Sequence, residues 1–284
     1  FADISSVTPQ MAKVYPNGLA DVNHFHAAGG LQYLIGDLLA EGLLHEDVTT
    51  VAGPGLARYA REPSLVDGRI TWGNGAVRSH NDRILRPARD PFQTTGGLRE
   101  LTGNLGAGIM KVSAVAEDLH VIEAPARVFE DQDGVKAAFR AGEFNGDCVV
   151  VVRFQGPRAN GMPELHGLTP ILSVLLERGY RVALVTDGRM SGASGKVPAA
   201  LHVSPEAALG GPLARLRDGD ILRVDASAGR LDVMNEDALE RDPASPDLDA
   251  NAHGMGRELF ALFRQNAGPA TLGASAIQPP ETTG

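Results

Sequence analysis

Asp147-Cys148-Val149-Val150-Val151-Val152-Arg153-Phe154 reads as a buried β-strand. Four consecutive β-branched valines suit a pleated surface, and a continuous apolar run points to burial on both faces rather than one. Working outward, Ala107 to Val112 and His120 to Ala124 read as short strands upstream, and Tyr180 to Thr186 reads as another downstream. Val135 to Ala141 is a short helical candidate between strands, and Leu168 to Arg178 has helical spacing that stops before Gly179. Asp220 to Val224 and Gly229 to Val233 resemble paired strands joined through Asp225-Ala226-Ser227-Ala228, and His253 to Asn266 reads as a final helix. The mixture predicts an α/β fold whose C-terminal domain, residues 96–284, is a mixed β-barrel-like body with flanking helices. An open mixed sheet is the plain alternative, because periodicity does not show closure.

The first part of the chain has a different character. Val7 to Val14 is partly amphipathic and leads to a turn at Pro16-Asn17-Gly18. His24 to Glu41 predicts one helical region, with Leu31, Leu34, Ile35, Leu38 and Leu39 at helical spacing and Gly42 as its terminator. Residues 51–95 are rich in Gly, Pro, Arg and Asp and read as an interdomain linker with small local elements.

Composition limits the function classes. With 35 acidic against 26 basic residues among 284, the formal charge is -9, which disfavours a general nucleic-acid surface. Nothing approaches 18 consecutive apolar residues, so no membrane span is expected. Phe1-Ala2-Asp3-Ile4 has no signal-peptide pattern and no initiating Met, which agrees with a truncated chain. The single cysteine, Cys148, excludes an internal disulfide and any zinc or iron–sulfur site built wholly from the chain's own thiolates. Its place beside the valine run favours packing over ligation.

Three segments carry candidate chemistry. Thr186-Asp187-Gly188-Arg189-Met190-Ser191-Gly192-Ala193-Ser194-Gly195-Lys196 follows an apolar strand. Its glycines permit close backbone approach, and its Asp, Arg, Ser and Lys side chains could converge on an anionic substrate. The alternative is a polar strand-to-helix turn. Gly156 to His166 begins just past the valine strand; Glu164 could offer oxygen to a hard cation such as magnesium, or could simply sit in the first turn of a helix behind Pro163. In Asn17 to Gly30, His24 and His26 have weak metal-site spacing; one of them could contact substrate, and helix capping by Asp21 or Asn23 is the competing reading. Arg153, Arg158, Arg189 and Lys196 could supply the positive field a phosphate needs, or be ordinary solvated and salt-bridged positions.

Taken together, Tyr15-Pro16-Asn17-Gly18, Ala20 to Gly30, His45-Glu46-Asp47-Val48, Thr50-Val51-Ala52-Gly53, Gly103-Asn104-Leu105-Gly106, Val121 to Ala126, Gln155 to His166, Thr186 to Ala200 and His202-Val203-Ser204-Pro205-Glu206-Ala207 resemble the iron–sulfur dehydratase family of dihydroxy acids and sugar acids. The resemblance spans nearly the whole chain. It implies that residues 1–50 finish an N-terminal α/β domain, that 51–95 link to the C-terminal domain, and that the active site forms between domains. It implies Ser191 as the catalytic base and Glu164 as a magnesium ligand. Arg158, Lys196, Asp187, Arg189 and His24 are the substrate-binding candidates. The family's cluster, of 4Fe-4S type on this reading, and its divalent cation, Mg2+, draw their other ligands from N-terminal motifs absent here, and Cys148 inherits no ligand role.

The Asn17 to Gly30 and Ala193 to Ala200 segments favour the family's phosphogluconate branch. That branch implies dehydration of 6-phospho-D-gluconate to 2-dehydro-3-deoxy-6-phospho-D-gluconate, in a cytoplasmic homodimer of the Entner–Doudoroff pathway, with this chain inactive without the missing N-terminal domain. The alternatives are a dihydroxy-acid dehydratase of branched-chain amino-acid synthesis and a noncatalytic binding or assembly module. Neither a nucleic-acid nor a membrane partner is expected.

Overall fold

The computed structural model describes residues 2–191 and 195–277, and the chain separates into two units, Phe1–Gly97 and Leu98–Gly284. In the first, α1 (Ala2–Val7), α2 (Val22–Ala27) and α3 (Gly30–Ala40) precede two hairpins, β1 (Thr49–Thr50) with β2 (Gly53–Pro54) and β3 (Arg61–Val66) with β4 (Arg69–Asn74). The helix expected over His24–Glu41 is therefore two helices. Gly29 at φ 131° and Gly30 at φ 60° take backbone conformations an α-helix does not contain, and the axis breaks there. Met11, Ala28, Tyr33, Leu38 and Leu85 form a small core. Residues 51–95, expected as a linker, carry both hairpins' later strands and group with the first unit. In the β3–β4 hairpin, Pro63 faces Trp72 and Leu65 faces Ile70, and all four are exposed.

The second unit is a closed barrel of eight strands among the described residues: β5 (Leu98–Gly103), β6 (Gly106–Lys111), β7 (Val121–Phe129), β8 (Cys148–Val152), β9 (Val182–Thr186), β10 (Ala199–Ser204), β11 (Ile221–Asp225) and β12 (Arg230–Val233). Around the barrel the order is β10-β6-β5-β12-β11-β7-β8-β9, closing from β9 back to β10. The expected mixed barrel is thus present. Strands β7, β8, β9 and β10 run parallel, with α4 (Gln132–Arg140) crossing from β7 to β8 and α6 (Leu168–Glu177) from β8 to β9.

The valine run is explained by two cores. Val149 and Val151 join residues of all eight strands, among them Leu101, Met110, Ile122, Ala183, Ala200, Leu222 and Leu231. Cys148, Val150 and Val152 face the other way, onto Val135, Leu168, Leu172 and Leu175 of the crossover helices. A strand covered on both faces has no polar side to alternate with, so its sequence is uniformly apolar. Cys148 is buried there as a packing residue.

Closure depends on the Gly103-Asn104-Leu105-Gly106 turn. Only one residue pair, Arg230 with Thr102, registers β12 against β5. The Asn104 side chain extends that seam: its Oδ1 accepts from Val233 N–H at 2.8 Å and its Nδ2 donates to Val233 C=O at 2.9 Å, as a further strand residue would. Two strands of the barrel escaped the sequence reading, as did those of both hairpins in the first unit. β5 is half polar, Leu-Arg-Glu-Leu-Thr-Gly, and β10, Ala-Ala-Leu-His-Val-Ser, is interrupted by a bulge between Leu201 and Ser204. The final helix, α7, covers only Ala261–Asn266. No helix among the described residues is long and apolar enough to cross a membrane.

Candidate active-site wall

Parallel neighbours deliver their carboxyl ends to the same side, where loops commonly gather ligand-binding groups. Here β8, β9 and β10 bring three segments together: residues 153–167, the described residues 187–191 and 195–198, and residues 205–211.

Asp187 holds them. It is fully buried, and its carboxylate accepts from the N–H groups of Phe154 (3.2 Å), Gln155 (2.9 Å) and Ala207 (2.9 Å). Burial pushes its carboxyl above the ordinary range, and these backbone donors pull it partly back. Expected as a substrate contact, Asp187 here has its oxygens directed into the protein, joining three loops.

Glu206 is a second buried carboxylate. It accepts from the N–H groups of Arg158 (3.0 Å) and Ala159 (3.5 Å), at the start of α5 (Pro157–Asn160). Gly156 is required beneath it, since any side chain there would run into the Glu206 carboxylate. Burial raises the Glu206 carboxyl, the backbone donors lower it, and the nearby Asp187 charge raises it further. Arg158 is thereby fixed by its backbone while its exposed side chain turns Nε to the carbonyl of Ala267 at 2.8 Å.

Glu164 and Arg189 lie side by side. They form an isolated parallel bridge, Leu165 N–H reaches Arg189 C=O at 3.0 Å, and the guanidinium approaches the Glu164 carboxylate at 3.8 Å. Arg189 Nε also donates to Met162 C=O at 2.8 Å. Glu164 is therefore in an extended segment between α5 and α6, not in the first turn of a helix. Ser191 follows two residues later and is half-buried, and Lys196 is exposed; Gly192, Ala193 and Ser194 of the same motif lie outside the described residues.

Two cations, one expected and one not, differ in use. Arg153 is buried, with its guanidinium donating to the carbonyls of Leu213, Ala214 and Leu216 and approaching Glu130 at 3.6 Å, so it braces the barrel rim. Lys111, which the sequence reading passed over, ends β6 with its stem against Gly195: a Cβ there would meet Lys111 Cδ at 3.0 Å and Nζ at 3.1 Å. Burial lowers its ammonium below the usual lysine range. His24 belongs to the first unit. Its Nδ1 lies 2.7 Å from Asp21 Oδ1, and Asp21 caps α2 through the N–H groups of Asn23 and His24.

Three residues other than glycine around this wall have left-handed backbones: Phe154 (φ 61°), Met162 (φ 52°) and His202 (φ 56°). Each is bonded to one member of the Asp187-Gly188-Arg189 triplet: Phe154 N–H to Asp187, Met162 C=O to Arg189, and His202 N–H to Gly188 C=O at 3.0 Å. Such conformations cost about 1–3 kcal/mol each and persist where surrounding structure imposes them. His202 is half-buried, and burial together with the Arg189 charge lowers its imidazole below the ordinary value. Neither His202 nor Glu206 was given a role from sequence, although both lie in the His202 to Ala207 motif.

The donor set for metals is partial. Among the described residues no group of three or more His, Cys, Asp or Glu side chains is placed to hold an ion. Glu164 offers one carboxylate, fewer than a cation's shell requires. Cys148 does not fit a cluster ligand: it faces the crossover helices, and burial pushes its thiol up to about 11.

Residues 83–274 match the family described as dihydroxy-acid/6-phosphogluconate dehydratase C-terminal, and residues 1–59 match the corresponding N-terminal family. The phosphogluconate dehydratase of Pseudomonas aeruginosa is 61% identical over 282 residues, 97% of this chain and 46% of the relative. That of Escherichia coli K12 is 54% identical over 279 residues, 98% of this chain and 46% of the relative. A dihydroxy-acid dehydratase of Ignicoccus hospitalis is 37% identical over 245 residues, 84% of this chain and 41% of the relative. The chain thus spans about half the length of the curated relatives it matches. On these matches and the barrel that carries the shared motifs, the chain belongs to the dihydroxy-acid/6-phosphogluconate dehydratase family.

Proposed function

We propose that this chain forms one wall of a phosphogluconate dehydratase, a hydro-lyase converting 6-phospho-D-gluconate to 2-dehydro-3-deoxy-6-phospho-D-gluconate. The observation that carries the reading is the identity of 54% and 61% to relatives of that name over nearly the whole chain, against 37% to a dihydroxy-acid dehydratase. A noncatalytic module has no comparable support.

On this reading Ser191 takes the proton from carbon 2 while the 3-hydroxyl leaves, and the resulting enol becomes the 2-keto product. An ordinary hydroxyl is a weak base, so nearby positive charge must favour its deprotonated form. Arg189 is two residues away, and Lys111 packs on the same loop at Gly195. Arg158 and Lys196 are the exposed cations suited to the phosphate. Asp187 and Glu206 act indirectly, by fixing the loops that present these groups. The family resemblance also implies an iron–sulfur cluster and a divalent cation. Glu164 could contribute one oxygen to the cation, the other ligands coming from the missing N-terminal domain. Cytoplasmic location, homodimer assembly and a place in the Entner–Doudoroff pathway belong to the same proposal.

The test restores the preceding half of the protein, reconstitutes it anaerobically, and compares wild type with Ser191→Ala for turnover and metal content. Turnover is expected to collapse with cluster and cation occupancy unchanged. Retained turnover rejects the role of Ser191. A wild-type parent inert toward 6-phosphogluconate rejects the assignment itself.

A further inference from the structure

His202 stands in a backbone conformation that glycine or asparagine adopts at lower cost, φ 56° within the β10 bulge. The backbone around it is held at both ends. Its N–H donates to Gly188 C=O at 3.0 Å, and its C=O accepts from Ser204 Oγ at 3.3 Å. Neither bond uses the imidazole, so the backbone bonds give no reason for histidine in particular. Bulges and left-handed non-glycine residues gather at functional sites, where they re-aim a side chain. Here the ring is half-buried beside Arg189, on the wall that carries Ser191 and Glu164.

We propose that His202 is a substrate-contacting residue of this wall, its imidazole hydrogen-bonding one of the sugar acid's non-reacting hydroxyls. The proposal rests on the dehydratase reading above. An uncharged imidazole presents one donor and one acceptor, and a hydroxyl is also both. Burial and the neighbouring Arg189 both favour that uncharged form. Carboxylate and phosphate groups are better matched by Arg189, Arg158 and Lys196, and carbons 2 and 3 are engaged by the proton transfer at Ser191. The hydroxyls on carbons 4 and 5 remain for a neutral group to recognise.

The experiment uses the parent protein with its preceding half restored, and compares wild type, His202→Gly and His202→Asn. Melting temperature, kcat and KM are measured on 6-phosphogluconate and on its 4-deoxy and 5-deoxy analogues. Both replacements tolerate a left-handed backbone, so melting temperatures are expected to equal or exceed wild type. His202→Gly should lose about tenfold or more in kcat/KM, the effect of one lost hydrogen bond. His202→Asn, which keeps a donor and an acceptor, should recover part of it. The loss should shrink on whichever deoxy analogue lacks the partnered hydroxyl. A folded His202→Gly with wild-type kcat/KM overturns the proposal. So does an equal fractional loss on the parent substrate and both analogues, in either variant, since that marks a structural role. Inactivity of wild type is a separate outcome, and it removes the dehydratase reading instead.

Discussion

Asp187, Glu206 and Cys148 show how far burial decides what a reactive residue does. All three have their ionisable groups raised by it, but only the two carboxylates are surrounded by donors. For Glu206 the sign follows from proton linkage. Its carboxyl titrates above the ordinary 4.5, so the folded state holds more protons than the unfolded chain in that window. Its contribution to stability is full below pH 4.5 and is lost as pH rises through the raised value. Glu206→Gln has no proton to lose, so its melting temperature should change less with pH from 4.5 upward than that of wild type. A parallel pair of curves would contradict the shift. Cys148, with its thiol near 11, is about one part in a thousand thiolate at pH 8. It should resist Ellman's reagent in the folded chain and react fully in denaturant; prompt labelling at pH 8 would show that the strand is not packed as described. The segments that hold Ser191 and Glu164 stood out in the sequence because each follows a recognisable apolar strand. The loop-joining bonds of Asp187 were not legible because its partners, Phe154, Gln155 and Ala207, lie 20 to 33 residues away in sequence. The backbone of His202 was invisible, since nothing in a histidine announces a left-handed φ.

Strands reveal themselves in proportion to how completely they are covered. β8 and β9 are buried along their full length and stand out as apolar runs, while β5 and β10 have mixed exposure and did not. Closure was illegible for a different reason: the seam between β5 and β12 joins residues more than a hundred positions apart through one registered pair, a few backbone bonds around it and the Asn104 side chain. That asparagine is a point of leverage. Asn104→Ala leaves the N–H and C=O of buried Val233 without those partners, which should cost about 1–3 kcal/mol in urea unfolding. A change near zero would mean that water or a backbone shift replaces the side chain. Val151→Ala in the barrel interior should cost about 1.5–3 kcal/mol by lost burial and the resulting cavity.

At the scale of the molecule, the chain spans about half the length of its relatives, and its described residues hold no group of three or more metal-ligating side chains and one buried cysteine. The isolated chain should therefore show no dehydration of 6-phosphogluconate under anaerobic reconstitution, and no stoichiometric labile sulfide after free iron is removed. Turnover by this chain alone would refute a split active site. The division into two units also has an optical consequence. Trp72 is the only tryptophan in the sequence, and it sits exposed on the β3–β4 hairpin of the first unit. Indole emission thus originates on that hairpin, and the barrel, which carries no tryptophan, is followed by circular dichroism. If the two units unfold at different urea concentrations, the two signals give different midpoints, and the fluorescence midpoint belongs to the first unit.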